Sequence, residues 1–415
     1  MYALCDQRSF YASCESVFRP DIRGQSIIVL SNNDGCVIAQ NEQAKAAGVK
    51  KFEPYFLQKS LIESKKVNCF SSNYALYGAI SDRIMDTLRA HTPSVEVYSC
   101  DEGFCDLSGI PIKHLKPLGQ KLRNTVWVEQ RIPMGVSIGP TKTIAKLGQY
   151  ATKKIPQING VAVLTEQHQW EWLAKRVAVD EVWGVGRRLK EKLQAVGVMT
   201  AYDLSQLSLG AGRKIGGLAL ARTISELNGD PCIPFELNPP SKQQILSSRS
   251  FGTKLYRVEE LLEAVSSFAI RGSEKLRAQE SLAGRLSVTL IYGENHNERK
   301  VRSASINIPS GTDDIRYLAR EATAITRQLF KAGERYLKAG IELTDIRPKQ
   351  YWQRDFLATE EAASLMPAID QINKRFGRNT VTVARHAGPA AFGMRREMLS
   401  PSYLTQWSNI PKIQC

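Results

Sequence analysis

The sequence predicts a multidomain α+β protein, and three observations carry that expectation. The chain has 415 residues, which at roughly 150 residues per domain gives a prior of about three domains. Strand and helix signals mix over residues 1–165, as in an α+β or α/β domain. A helical stretch follows over 166–229. Beyond a linker rich in breakers, a second mixed set of helix and strands begins.

The elements follow in order. Tyr2-Ala3-Leu4-Cys5 is an apolar run that stops at Asp6, a first strand. Ile27-Ile28-Val29-Leu30 is a second, closed by the turn residues Ser31-Asn32-Asn33-Asp34-Gly35. Asn41 to Ala47 reads as a helix ended by Gly48. Val95 to Cys100 is a third strand running into Asp101-Glu102, and Met134 to Gly139 a fourth. The latter feeds a helix capped by Thr141. The clusters Asn228-Gly229-Asp230-Pro231 and Asn238-Pro239-Pro240-Ser241 mark the linker. After it come a helix over Val258–Gln279, an alternating strand at Leu286–Leu290, a strand over Val301–Ile308, a helix over Asp313–Ala332 and a strand over Gly340–Ile346. The tail from 348 onward is less regular.

Composition narrows the function classes. Hydrophobic residues are 43% and charged residues 23%, which excludes fully disordered, collagen-like and coiled-coil chains. Lys and Arg number 56 against 41 Asp and Glu, a net charge of +15 that points to a polyanionic partner. The eight cysteines form no C-x-x-C pair and the five histidines are dispersed, so neither a zinc site nor a disulfide framework is expected. Reduced thiols in a cytoplasmic protein are the plain expectation. No apolar run reaches the roughly 18 residues of a membrane span, and the N-terminus lacks the basic region of a secretory leader.

The sharpest chemical feature is acidic. Asp6 ends one strand, and Asp101 and Glu102 end another. Phosphoryl transfer uses such carboxylates as oxygen ligands for Mg²⁺. Adjacent strand residues face opposite sides, so Asp101 and Glu102 converge only where the chain turns, and Gly103 would permit that turn. Acidic pairs are also common in solvated turns. A carboxylate directly after Leu4-Cys5 in a basic chain favours the cation-binding reading.

At this point the residues become familiar. Leu4-Cys5-Asp6 followed by Phe10-Tyr11-Ala12-Ser13-Cys14-Glu15 resembles the opening of Y-family translesion DNA polymerases. So do Ser99-Cys100-Asp101-Glu102-Gly103-Phe104-Cys105-Asp106-Leu107 and Gly135-Val136-Ser137-Ile138-Gly139 with Lys142, Ala145 and Lys146. Ser31 to Val37, Phe70-Ser71-Ser72-Asn73-Tyr74 and Met394-Arg395-Arg396 with Leu399-Ser400-Pro401 and Tyr403 narrow the resemblance to the UmuC-type branch, the catalytic subunits of bacterial DNA polymerase V. The match runs through essentially the whole chain.

The resemblance implies a right-hand polymerase. Its ferredoxin-like palm would take residues 1–30 and 73–165, with small fingers at 31–72. A helical thumb with a helix–hairpin–helix would occupy 166–230, a linker 231–242, an α+β little finger 243–347 and a partner-binding tail 348–415. Asp6, Asp101 and Glu102 would be catalytic and would hold two Mg²⁺ ions with the Gln7 carbonyl. Tyr11 would be the steric gate against a 2′-hydroxyl, with Phe10 beside it in the nucleotide pocket. Ile38 and Ala39 would roof the nascent base pair, and Lys45 and Lys153 would hold the triphosphate. Primer–template DNA and dNTP would be the substrates. A dimer of processed UmuD and the RecA filament would be partners in an SOS response to DNA damage. The sequence departs from the pattern at Arg8, at Glu42, at Cys100 in place of isoleucine and at Gly103 in place of alanine.

Further segments bear on binding. Trp183-Gly184-Val185-Gly186-Arg187-Arg188-Leu189 reads as a helix–hairpin–helix clamp, with Gly184 and Gly186 admitting a phosphate and Arg187 and Arg188 beside it. Arg249, in Ser248 to Thr253, would meet template phosphates without reading sequence. Gln353 with Phe356 and Leu357 resembles a degenerate sliding-clamp peptide. Against the polymerase stand two other readings: a catalytically weak or inactive DNA-binding scaffold, and a cyclase-like enzyme. The complete acid triad argues against the scaffold. The clamp motif and the basic charge argue against the cyclase.

Overall fold

The computed structural model describes residues 1–294, 298–351, 365–377, 380–382, 393–404 and 406–410. The chain forms two compact units, Met1–Pro239 with Arg396–Cys415, and Pro240–Arg395.

The first unit opens with strand β1 (Tyr2–Gln7) and helix α1 (Phe10–Val17). Next come β2 (Ile27–Leu30), β3 (Val37–Gln40), α2 (Glu42–Ala46), α3 (Tyr55–Ser64) and β4 (Asn68–Ser71). They are followed by α4 (Tyr74–His91), β5 (Ser94–Val97), β6 (Glu102–Asp106), α5 (Ile112–Gln130), β7 (Met134–Gly139), α6 (Lys142–Lys154) and β8 (Val161–Val163). Helices α7 (Gln167–Ala174), α8 (Arg187–Ala195), α9 (Ala201–Ser205) and α10 (Leu209–Leu227) complete its regular elements.

A five-stranded sheet of order β5-β6-β1-β7-β8 forms the centre. Strand alternation gives it two covered faces. Ala3, Cys5 and Cys105 pack with Leu76, Ile84 and Leu88 of α4 and Leu115 and Leu122 of α5. Leu4 and Phe104 face the other way, onto Ala145 of α6. Helix α6 starts where Thr141 accepts from the Ile144 amide, as its sequence predicts. The buried Glu226 carboxylate takes the Thr143 amide and hydroxyl, both at 2.9 Å, and the amides of Cys232 and Ile233. It thereby ties the end of the helical region and the start of the linker to α6.

The second sheet is small, of order β3-β2-β4, with α2 and α3 packed around Ile28, Leu30 and Val37. Ile27–Leu30 pairs with β3 and β4, where Ile28 and Leu30 find their apolar partners in Ala44, Val49 and Ile62, while Val29 packs on the core of the central sheet.

The second unit is a four-stranded antiparallel sheet of β9 (Ile245–Leu255), β10 (Ser281–Tyr292), β11 (Lys300–Thr312) and β12 (Tyr336–Pro348), in the order β11-β10-β12-β9. Helices α11 (Val258–Ala278) and α12 (Ile315–Leu329) fill its core with Val265, Phe268 and Leu318. Helix α13 (Leu365–Phe376) joins through Met366 and an Arg277–Asp370 ion pair. No helix among the described residues is long and apolar enough to cross a membrane.

Candidate active site

The site is built at one end of the central sheet. Asp6 on β1 and Glu102 on β6 are direct cross-strand partners. The predicted strand through Cys100 ends earlier, at Val97, and Tyr98–Asp101 form the turn. Tyr98 and Ser99 amides donate to the Glu102 carbonyl at 3.1 and 3.0 Å and close it. Asp101 thus lies in the turn and Glu102 opens the next strand. Gly103 is not the hinge. It sits in regular strand opposite Cys5 and Val97, and an added Cβ would meet Met85 Sδ at 3.0 Å. Its lack of a side chain serves packing against α4.

Backbone contacts lock the acidic segments together. The Gln7 amide donates to the Asp101 carbonyl at 2.9 Å, and the Arg8 amide to Pro133 at 2.8 Å. The turn into α1 passes through Ser9 at φ 49°, a left-handed conformation uncommon outside glycine. The Ser13 hydroxyl holds the Arg8 carbonyl at 2.8 Å, and the Arg8 guanidinium reaches the Thr152 carbonyl.

Each carboxylate has its own partner. Lys153 donates to Asp6 at 2.8 Å, and Lys146 reaches both Glu102 oxygens at 3.1 Å. The Ser99 hydroxyl donates to Asp101 at 2.7 Å. Burial lifts the Glu102 carboxyl above the ordinary range. Lys146 pulls it back, and the nearby charges of Asp6 and Asp101 push it up. Lys146 also lies 4.5 Å from the Tyr98 ring and 5.4 Å from that of Trp183, whose indole N–H donates to the Tyr98 hydroxyl at 3.0 Å. A cleft of about 350 Å³ opens here, lined by Asp6, Glu102, Lys146, Lys153, Tyr150 and Trp183 among others.

The donor set fits Mg²⁺ by its chemistry, since carboxylate and carbonyl oxygens are what that ion takes. In the present arrangement two lysines occupy the cation's role. Among the described residues no three Asp, Glu, His or Cys side chains converge on one metal position.

The other predicted residues fall as follows. Tyr11 on α1 stacks on Tyr77 of α4, with ring centres 4.4 Å apart and planes at 16°, and its hydroxyl lies 3.5 Å from Cys100 Sγ. Burial, and then that thiol, raise the Tyr11 pKa. Phe10 is buried in the core, with its ring centre 5.9 Å from that of Tyr11. Ile38 and Ala39 sit on β3 and also pack on that core. Lys45 is exposed on α2. Gly184 takes φ 90°, Gly186 caps α8, and the Arg187 side chain is 91% exposed with Glu191 at 3.6 Å. Arg188 is exposed on the same helix. Arg249 belongs to the second unit, on β9. Gln353, Phe356 and Leu357 lie outside the described residues.

Sequence reasoning missed Lys146 as a site residue. Its signal was present: Lys142 and Lys146 are four apart on one face of α6. Lys142 is buried, with only 2% of its side chain exposed, and pairs with Glu96.

Comparison with known proteins agrees with this frame. Residues 5–149 match the impB/mucB/samB family, 242–356 its C-terminal domain, and 363–413 a domain of unknown function, DUF4113. The chain is 40% identical to Protein UmuC of Salmonella typhimurium, over 100% of each chain. It is 26% identical to DNA polymerase IV of Bacillus velezensis, covering 91% of this chain and 90% of that one. A Y-family DNA polymerase chimera built on Dbh superposes with a TM-score of 0.67 at 21% identity, covering 84% of this chain and 99% of its own. The chain belongs to the impB/mucB/samB family, as a UmuC-type member, and has the fold of the Y-family DNA polymerases.

Proposed function

We propose that this chain is the catalytic subunit of an error-prone translesion DNA polymerase working in an SOS response in the cytoplasm. The observation that carries the reading is the pairing of Asp6 with Glu102 across two strands, with Asp101 tied to the same turn by the Gln7 amide. Residues 31–72 act as fingers around the small sheet, with β2 added to them. The central sheet is the palm, 166–230 the thumb and 243–347 the little finger.

Asp6, Asp101, Glu102 and the Gln7 carbonyl hold two Mg²⁺ ions. Such ions acidify the primer 3′-hydroxyl and neutralise charge on the triphosphate. Lys153, released from Asp6, turns to the triphosphate, with Lys45 as a second contact. Tyr11 lies under the sugar and excludes a 2′-hydroxyl, so dNTP is taken over rNTP. Ile38 and Ala39 present a smooth roof above the templating base, which leaves room for damage. The Gly184–Arg188 turn and Arg249 grip phosphates of the primer–template, and the net charge of +15 supports that role. The protein's contribution is positioning and charge neutralisation. Processed UmuD, the RecA filament and the sliding clamp are the partners.

One observation favours a second reading, a weakly catalytic scaffold: the lysine partners of Asp6 and Glu102 must yield before metal binds. One experiment separates the two. Primer extension is measured on an undamaged template and on one with an abasic site, with Mg²⁺, processed UmuD, clamp and RecA filament. Wild type is expected to pass the lesion. Asp101→Ala is expected to lose at least about 100-fold in synthesis while still binding DNA. Binding without extension in every mixture selects the scaffold.

A further inference from the structure

Far from the carboxylates in sequence, the C-terminal segment 396–404 lies as a strap across the small sheet and the start of α4, within the first unit. It adds to the edge of β4. The Ser71 amide donates to the Met398 carbonyl at 2.9 Å, and Ser71 and Leu399 form a parallel bridge. Asp34 takes the Ser71 hydroxyl at 2.6 Å through one oxygen and the Glu397 amide at 2.9 Å through the other. Asn73, whose side-chain oxygen caps α4, donates its amide to the Ser400 hydroxyl at 2.9 Å. Tyr403 stacks on Phe18 with ring centres 4.7 Å apart.

The strap ends beside a buried relay. Glu15 sits one helical turn after Tyr11 on the same face of α1. Its Oε1 accepts the Tyr77 hydroxyl at 2.5 Å. Its Oε2 is buried and makes no hydrogen bond of ordinary geometry among the described residues. The buried Ser400 hydroxyl, which accepts from Asn73, acts on Glu15 by favouring its ionised form. Tyr77 is 1% exposed and is gripped at both ends, by Glu15 on its hydroxyl and by the Tyr11 ring on its face. Tyr74 packs edge-on to both rings.

We propose that the strap sets the position of the gate tyrosine: Ser400 and Asn73 fix Glu15 and the start of α4, these fix Tyr77, and the Tyr77 ring is the platform that holds Tyr11. Tyr77 and Ser400 are then positioning residues for sugar selection, and Ser400 lies within the segment that matches the domain of unknown function. The physical reason is mechanical. A ring rejects one extra hydroxyl only if it does not yield, which requires support good to about 0.5 Å. Tyr11 is only partly enclosed, so its stiffness comes from the ring behind it. The inference rests on Tyr11 being the gate, as proposed above.

The test is single-nucleotide insertion by the full chain in the mixture that supports synthesis, comparing kcat/KM for a dNTP and the matching rNTP. Tyr11→Ala is the reference and should lower the dNTP/rNTP ratio the most. Tyr77→Leu should lower it by about tenfold, mostly through faster rNTP insertion. Ser400→Ala should lower it by about threefold, the weight of one hydrogen bond. Neither should lower it further in a Tyr11→Ala background, because the gate they support is gone. Tyr77→Phe, which keeps the ring and loses the hydroxyl, serves should Tyr77→Leu fail to fold, with a loss between the other two. Hydrogen exchange over residues 10–17 and 73–80 should quicken in Ser400→Ala. If the Tyr77 and Ser400 variants slow dNTP and rNTP equally, the residues are merely structural and the inference is overturned. If Tyr11→Ala itself leaves the ratio unchanged, the gate reading falls and takes the inference with it.

Discussion

Two glutamates of the first unit, Glu102 and Glu15, are both withdrawn from water and differ in what faces them. Glu102 meets an ammonium group, Lys146, at 3.1 Å, with two further carboxylates nearby. Glu15 accepts the Tyr77 hydroxyl, with the Ser400 hydroxyl as a further influence, and burial pushes its pKa up to about 7. A carboxylate faced by a cation can exchange that cation for another. A carboxylate balanced by hydroxyls stays close to neutral and acts as a hydrogen-bonding brace. The first environment suits chemistry on a polyphosphate, the second the fixing of an aromatic ring.

The largest expected effect lies on the Glu15 side. Burial pushes its pKa from the ordinary 4.5 up to about 7 in the folded chain. Between those values the folded chain holds a proton that the unfolded chain has shed. Stability therefore falls as pH rises from about 4.5 to about 7, and the loss persists above, amounting to about 3 kcal/mol. Glu15→Gln keeps an acceptor for Tyr77 and cannot ionise. Urea unfolding should show it close to wild type at pH 5 and more stable by up to about 3 kcal/mol at pH 8. A pH-independent difference would mean that Glu15 is ionised in the folded chain throughout, and the contrast with Glu102 would vanish.

The matching change on the other side is Lys146→Met. It leaves Glu102 facing Asp6 and Asp101 without its own cation, a loss of about 2 kcal/mol for a partly buried pair. Here Mg²⁺ should restore part of the stability, since a ligand that binds the folded chain stabilises it by mass action. Lys146→Met unfolding at the same urea concentration with and without Mg²⁺ would show that the carboxylates do not take the ion.

These two regions were unequally legible in the sequence. Asp6, Tyr11, Asp101 and Glu102 stand in short local runs, and β2, β7 and the Thr141 cap announce themselves by apolar content and capping chemistry. Lys146 was harder, because a lysine on a helix reads as solvated until the helix is laid across a strand end that is 44 residues away. The packing behind Tyr11 was not legible. Tyr77 and Glu15 are 62 residues apart, and Asn73 and Ser400 are 327 apart. A strap of a few residues has no periodicity, and its ladder partner is the edge of a sheet formed elsewhere. Gly103 misled for a related reason. Glycine signals a turn or a close approach equally well, and only the packing of α4 against β6 tells which.

That distinction gives the smallest effect and a clean one. At Gly103 the backbone is ordinary strand, so alanine adds no conformational strain. Its Cβ would meet Met85 Sδ at 3.0 Å and Leu88 Cδ1 at 3.5 Å. Methionine is unbranched and can shift by a few tenths of an ångström, so Gly103→Ala should cost about 1 kcal/mol or less. The Tyr98–Asp101 turn is closed by hydrogen bonds to the Glu102 carbonyl, which alanine at 103 leaves intact. Synthesis should then stay within about twofold of wild type, since the carboxylates keep their places. A hinge would behave in the opposite way: stability would hold while the rate fell by about tenfold or more, as the acids lost their register. Measuring urea stability and primer extension on the same Gly103→Ala preparation tests the assignment of this glycine to the packing of α4.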